Sequence, residues 1–303
     1  MTWLLLSLFA ALACSICTFV DNFQTDVVFS KKTPQAMKVV NGITYLILVA
    51  VLYFVMPPEI IENWQIGLLV LSGALASLAS IPYFLGLKNE EATGATIYYQ
   101  LIPLIYLIVG WSIFHEPITL RQVLGFIIII IAPILIVFSR KRPRSRRKGF
   151  ISALFFILYV VTVATSGLIS TKVGESIPFF TVFFYFMLGR GITDVVLFIL
   201  NKSWQQRMKY IWRRKRKVFL PTIIFNQIMT IAAEFASRWS LILGVAALAS
   251  VVANVAELIL TFVLGLVLSA IWPKFGREKL NRHIIIAHLL AVVLCITGII
   301  ILQ

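Results

Sequence analysis

Charge is scarce in this chain. Only 13% of its 303 residues are charged, against roughly a quarter in an ordinary soluble domain. With a mean hydropathy of +0.96, too few polar groups remain to coat a globule. Acidic residues are scarcer than basic ones, 12 against 27, so the chain carries a large positive excess. Cysteine is limited to Cys14, Cys17 and Cys295, all in apolar surroundings where a thiol packs as a small hydrophobe. The spacing Cys14-Ser15-Ile16-Cys17 lacks the strand–helix setting that gives it redox meaning, and it reads as core packing. The histidines, His115, His283 and His288, show no metal-ligand spacing, and there is neither a metalloprotease helix motif nor a Walker-type phosphate loop. No metal, cofactor or attached ATPase is therefore expected. Met1 and Thr2 offer no positive region ahead of the first apolar run, which argues against a cleavable signal peptide.

Long apolar runs are what the chain has in abundance. Stretches of the roughly 17 to 25 residues that cross a bilayer recur from end to end: 3–29, 36–56, 64–87, 92–114, 119–138, 150–170, 179–200, 219–241, 245–271 and 283–302. In lipid every backbone amide must be satisfied within its own segment or in a closed barrel, and these runs lack the alternation of barrel strands. The fold class expected is all-α integral membrane, with about ten transmembrane helices. The longest polar stretch, roughly Asn201 to Lys217, has room for only a short helix, so no soluble catalytic domain is expected.

A net charge of +15 would suggest nucleic acid in a soluble protein, but the cations sort by connection. Lys31 and Lys32, with Lys38 just beyond, fall in the first; Lys88 in the third; Arg140 to Lys148 in the fifth; Lys202 to Lys217 in the seventh; Lys274 to Arg282 in the ninth. The even connections hold only Arg121, Lys172 and the borderline Arg238, while the second carries Glu59 and Glu62. Basic short loops stay on the cytoplasmic side. The expectation is a multi-pass protein of the cell membrane with odd-numbered loops cytoplasmic and both termini outside. The block Trp204 to Lys217 interleaves aromatics with cations and suits anionic lipid headgroups. No nucleic-acid partner is expected.

The basic linker 140–148 divides the chain into 1–139 and 149–303, with five predicted spans in each. Two similar halves with an odd number of spans must insert in opposite senses, which gives inverted repeats with a site near the midplane between them. Weak internal similarity agrees. Pro82-Tyr83-Phe84-Leu85-Gly86-Leu87 precedes a helix with Tyr99-Gln100-Leu101-Ile102-Pro103 and then an apolar closing helix. Arg238-Trp239-Ser240-Leu241 likewise precedes a helix with Ala253-Asn254-Val255-Ala256-Glu257, then Trp272-Pro273-Lys274-Phe275-Gly276 and another closing helix.

The segment Tyr99 to Gly110, followed by His115-Glu116-Pro117-Ile118-Thr119 and then Gln122 and Gly125, resembles the end of an EamA-type repeat of the drug/metabolite transporter (DMT) superfamily. Phe19-Val20-Asp21-Asn22-Phe23 resembles the first-helix pattern of some bacterial members. The resemblance implies a transporter of metabolites, amino acids, nucleotide sugars or lipophilic amines. Locally, Thr119 with Gln122 forms a capping box and Pro117 stops the preceding helix, which gives the Glu116 turn a structural reason of its own.

Ionisable groups inside a span cost about 2.5 to 3.5 kcal/mol on insertion scales and usually face the bundle interior. They are Asp21 (beside Asn22) in the first span, Arg190 and Asp194 in the seventh, Glu234 and Arg238 in the eighth, and Glu257 in the ninth. Residues four apart share a helix face, so Arg190 with Asp194, and Glu234 with Arg238, are candidate local pairs. Glu257 needs a partner from another helix, Arg190 being the candidate; unpaired, it could carry a coupling proton. The substrate-path candidates are Tyr83, Tyr99, Gln100, Arg190, Asp194, Asn226, Gln227, Glu234, Asn254 and Glu257, although any one polar group here can equally be interhelical glue. Trp3, Trp64, Trp239 and Trp272 read as interfacial anchors. Small residues at Gly73 to Ser77 and Gly244 to Ala253 permit close packing of the halves, or of a homodimer. Pro82, Pro103 and Pro133 fall inside spans and can bend them.

The function expected is secondary active transport of a small-molecule solute, metabolite or drug-like, by alternating access between inverted repeats. The alternatives are a non-transporting membrane scaffold or subunit, which would lack a central polar cavity, and a membrane-embedded enzyme acting on lipids. No enzyme activity is expected, since no convergent catalytic set is visible.

Overall fold

A bilayer leaves an apolar run one way to satisfy its own amides, and the helices follow the apolar runs closely. The computed structural model describes the chain except for residues 89–91, 113–118, 122, 129–130, 132–145, 272–281 and 303. The helices are α1 (Thr2–Phe23), α2 (Lys38–Val55), α3 (Asn63–Leu87), α4 (Ala92–Tyr99), α5 (Ile102–Ser112), α6 (Arg146–Gly174), α7 (Phe179–Leu200), α8 (Lys202–Arg214), α9 (Arg216–Leu243), α10 (Ala246–Ile271) and α11 (Arg282–Leu302). Among the described residues, seven helical stretches are long and apolar enough to cross a membrane. The chain is thus an all-α, multi-pass membrane protein.

Three local features depart from plain spanning helices. First, α1 runs into a single π turn at Gln24–Val28, where the Phe29 N–H donates to the Gln24 carbonyl five residues back at 2.9 Å. The chain then turns through Ser30, Lys31 and Thr33, whose φ values of 51°, 60° and 48° are unfavourable for residues with a Cβ. Second, the predicted span over 92–114 is broken at Gln100–Leu101, between α4 and α5. Pro103 lacks an N–H, and its ring opposes the carbonyl four residues back, that of Tyr99. Pro82, by contrast, sits inside an unbroken α3. Third, the polar stretch after α7 forms α8, which buries Trp204, Met208 and Ile211 and turns its cations outward; the Asn201 side chain caps it by accepting from the Trp204 N–H at 3.2 Å.

The most extensive packing joins helices that are far apart in sequence. α1 lies against α9 and α10, and α3 against α6 and α7; α2 lies against α7, and α10 against α4 and α5. Two glycines allow the closest approach. A Cβ on Gly73 of α3 would land on the Phe186 carbonyl and the Arg190 amide of α7, and one on Gly189 would land on the Val70 carbonyl. With backbones in contact, Arg190 emerges directly beside this seam.

Contacts between described connections mark the two ends of the bundle. At one end α8 packs on the 3-10 turn Pro34–Met37. There Arg207 donates to the Phe29 carbonyl, and Lys215 donates to the Val27 carbonyl and, at 3.1 Å, to Ser30 Oγ. At the other end the Glu59 amide donates to Thr181 Oγ1 at 3.0 Å, which brings the second and sixth connections together. At the α8 end Val28, Phe29, Trp204, Met208, Ile211 and Phe219 form a buried apolar seal.

Several sequence expectations need correction. Lys38, placed just beyond the first loop, and Arg238, borderline between loop and span, are core residues, 1% and 6% exposed. Trp239, half-buried near the end of α9, stacks on Phe179 at 5.0 Å and meets Phe235 edge-on. Helix α6 begins at Arg146, inside the stretch read as linker. Residues 140–145, the Glu116 turn, Gln122, Pro133 and Trp272 to Gly276 lie outside the described residues.

Candidate functional site

The site is built on the face of α1 that carries Cys14, Thr18 and Asp21, spaced four and three residues apart and therefore stacked on one side of the helix. This face meets α9 and α10. Between them and α2 to α7 lies a cavity of about 220 Å³, to which α1, α2, α3, α4, α5, α6, α7, α9 and α10 all contribute lining side chains. It reaches from the level of Asp21, Asn41 and Asn226 to that of Ala10, Leu241 and Ala249. Those bounds are 15 residues apart on α9 (Asn226 to Leu241), roughly 22 Å at the helical rise. Beyond the level of Asp21, towards α8, comes the buried apolar cluster described above.

One polar group is a chain of charges. Arg190 donates to Glu234 Oε1 and stands over the Tyr45 ring, 4.9 Å from its centroid. The second oxygen of Glu234 faces Arg238 Nε at 3.5 Å, one turn along α9. Arg238 spends its remaining donors on α6, giving hydrogen bonds of 3.1 Å to the Ser166 carbonyl, 2.8 Å to Ser170 Oγ and 3.0 Å to Ser166 Oγ, while its guanidinium lies 4.0 Å above the Phe186 ring. One carboxylate thus serves two guanidiniums, and serine oxygens disperse the surplus.

The other group is acidic and aromatic. Asp21 accepts from Asn226 Nδ2 at 2.7 Å and from the Tyr83 hydroxyl at 3.0 Å. Glu257, 7% exposed, is hydrogen-bonded by Thr18, and its Oε1 has no partner. Among the described residues no lysine, arginine or histidine forms an ion pair with either carboxylate. Beside them Tyr83, Tyr99 and Tyr159 pack as a cluster, with Tyr159 centroids 5.2 Å from Tyr83 and 5.3 Å from Tyr99.

Of the residues picked out by sequence, Tyr83, Tyr99, Arg190, Asn226, Gln227, Glu234, Asn254 and Glu257 line this cavity, whereas Gln100 and Asp194 do not. Gln100 sits in the break between α4 and α5 and donates to the Asn254 carbonyl at 2.9 Å. Asp194 faces away, towards α2 and α3, where Lys38 Nζ meets it at 2.6 Å and also donates to the Ser77 carbonyl and hydroxyl at 2.7 and 3.1 Å. The Arg190–Asp194 and Arg190–Glu257 pairs are both replaced: Arg190 is taken by Glu234, because the tight α3–α7 seam aims its long side chain at α9. The Glu234–Arg238 pair is present.

Asp21 was legible as an ionisable residue inside a span but was missing from the predicted path. Tyr45, Tyr106, Tyr159 and Thr18 line the cavity as well. Nothing local marks them in the sequence, since a tyrosine or threonine within an apolar run fits packing equally well.

No curated protein matches the chain in sequence. A solved structure described only as "Crystal structure of protein" superposes with a TM-score of 0.60 at 14% identity, over 97% of each chain, a likeness that concerns the fold alone. The profile of the EamA-like transporter family matches residues 1–138, the segment that carries Asp21, Tyr83 and Tyr99 of the cavity wall. Residues 1–138 are thus similar to the EamA-like transporter family, which lies within the DMT superfamily.

Proposed function

We propose that the protein is a secondary active transporter of a small solute, working by alternating access between two inverted five-helix repeats, 1–139 and 149–303, joined by the basic segment 140–148. The observation that carries this is the polar cavity itself, enclosed by helices of both halves and sealed at the α8 end. A scaffold has no need of such a chamber, and members of the matched family are transporters.

The helix pairings support the repeat. Five spans per half would match α1 with α6, α2 with α7, α3 with α9, and the α4–α5 pair with α10. Under that exchange the α1–α9 packing becomes α6–α3, and α1–α10 becomes α6 with α4 and α5. The pairs α2–α7 and α4/α5–α10 map onto themselves. All of these packings occur. The directions also agree: α1 runs towards the α8 end, while α6 runs away from it to the connection beside Glu59. The reading takes ten spans with the odd connections on the α8 side and, from the positive-inside rule, that side as cytoplasmic, with anionic lipid headgroups as neighbours of the cations on α8.

In the cycle, solute enters between the halves, and rocking of one against the other opens the seal at the α8 end while closing the opposite end. Glu257 carries the coupling proton. Reconstitution in liposomes with a panel of radiolabelled solutes tests the reading: saturable, gradient-driven uptake of at least one solute is expected. Unchanged transport and unchanged pH dependence in a folded Glu257→Gln protein would remove the proton role.

A further inference from the structure

Resting on the transporter reading above, we infer that Gln24 and Thr25 form a second polar site, outside the cavity and on the solute's route to the α8 end, which takes a neutral hydrogen-bonding group and is held shut by the grip of α8.

Unpaired polar atoms lead there. Burying a polar group without a partner is expensive, so nearly all are paired in folded proteins. Of the residues that break this rule among the described ones, Tyr45, Arg190, Asn226, Gln227 and Glu257 line the cavity, where open space accounts for them. Gln24 and Thr25 do not line it. Both are 0% exposed, yet both polar atoms of the Gln24 amide and the Thr25 hydroxyl have no hydrogen-bond partner. A threonine in an apolar helix ordinarily bonds back to the carbonyl four residues earlier. Thr18, Thr44 and Thr222 do so at 3.0, 2.8 and 2.9 Å, and Thr25 does not. A site that served packing alone would hold leucine and valine, which fill the same space and leave no hydrogen bond unmet.

Their place in the fold says what the pair is for. Cys14, Thr18, Asp21 and Thr25 follow one another at intervals of four, three and four, so Thr25 continues the face of α1 that lines the cavity. It lies one turn beyond Asp21 towards α8, and Val28 and Phe29 of the buried apolar cluster come next. The polar stripe therefore runs past the cavity and stops under that cluster. Arg207 and Lys215 hold the following residues through the carbonyls of Phe29 and Val27, and the turn at Ser30, Lys31 and Thr33 is kept in the left-handed region, which residues with a Cβ leave readily.

The donors and acceptors define the occupant. Gln24 offers an N–H pair and a carbonyl, and Thr25 one hydroxyl; the nearby Asp26 carboxylate is engaged by Lys31 at 3.4 Å. The site thus suits an uncharged donor–acceptor, a water or a hydroxyl or amide of the cargo. Unmet bonds in the shut form are met on opening, so the pair raises the energy of the shut form and favours release towards α8.

The test uses full-length protein in vesicles with the α8 face outward. In a Cys14→Ala, Cys17→Ala, Cys295→Ala background, Gln24→Cys and Thr25→Cys should react with a membrane-impermeant methanethiosulfonate. Adding Arg207→Ala and Lys215→Ala should speed the reaction by about tenfold or more. Ala13→Cys, buried on α1 but outside the cavity wall, should stay unreactive throughout. Protection by a transported solute of the panel assigns the occupant to cargo, and reaction without protection assigns it to water. Should that background fail to fold, Gln24→Leu and Thr25→Val in the otherwise unchanged protein decide the matter: the melting temperature in detergent should hold or rise, while uptake slows by about tenfold. If both cysteines are as silent as Ala13→Cys with the grip intact and broken, or if the leucine and valine variants melt clearly lower, the site is overturned and the transporter stands. If the cysteines react but no solute crosses in the wild type, the site stands and the transporter reading falls.

Discussion

Two buried carboxylate sites in this protein have opposite designs. Asp194 is matched charge for charge: Lys38 is 1% exposed, Asp194 is 2% exposed, and the three ammonium donors end on Asp194 and on the carbonyl and hydroxyl of Ser77. Ser77 also donates to Asp194. This node ties α2, α3 and α7 together, and neither charge lines the central cavity. Glu257, 7% exposed, and Asp21, half-buried, face the cavity instead, have neutral hydrogen-bond donors only, and leave one oxygen of Glu257 unused. What separates the two designs is the completeness of their hydrogen bonding.

Breaking each site should make the contrast measurable. The largest effect is expected for Lys38→Met, which leaves Asp194 charged and alone. Losing one partner of a buried pair costs about 3 to 5 kcal/mol, so melting in detergent should fall sharply, and the double variant Lys38→Met/Asp194→Leu should recover much of the loss. A harmless Lys38→Met would erase the distinction. Gly73→Val comes next: its side chain must displace the α7 backbone at Arg190, an overpacking cost of about 1 to 3 kcal/mol, lowering both melting temperature and transport rate. Glu257→Gln sharpens the comparison from the other side, with a stability change below about 1 kcal/mol but loss of proton-coupled flux in vesicles. At the small end, Lys172→Ala removes an exposed ion pair to Glu175 and should shift stability by less than about 0.5 kcal/mol.

Seven spans were legible because the bilayer imposes length and apolarity on the sequence itself, and α8 because only a short polar helix fits between Asn201 and Lys217. The break at Gln100–Leu101 was half legible: Pro103 announced a bend, but which bonds it would cost depended on α10 receiving Gln100. Eight of the ten path candidates line the cavity for a similar reason, polar groups being so rare inside spans that few choices remained. The pairing of charges was not. Lys38 and Asp194 are 156 residues apart, and Lys38 stands at a span edge where cations usually meet headgroups. Spacing of four residues suggested Arg190 with Asp194, but two long side chains on nearly the same face can diverge, one towards α9 and the other towards α2. Only tertiary packing makes that choice.

The π turn at the end of α1 has a mechanical consequence. Asp21 lies on one continuous helical stretch that Phe29 caps, with the carboxylate in the chamber and the phenyl ring in the apolar cluster beyond it. Arg207 and Lys215 grip the far end of that stretch from outside. The segment is a lever with its load and its lock on a single rod: whatever releases the grip moves the carboxylate, and whatever binds the carboxylate strains the grip.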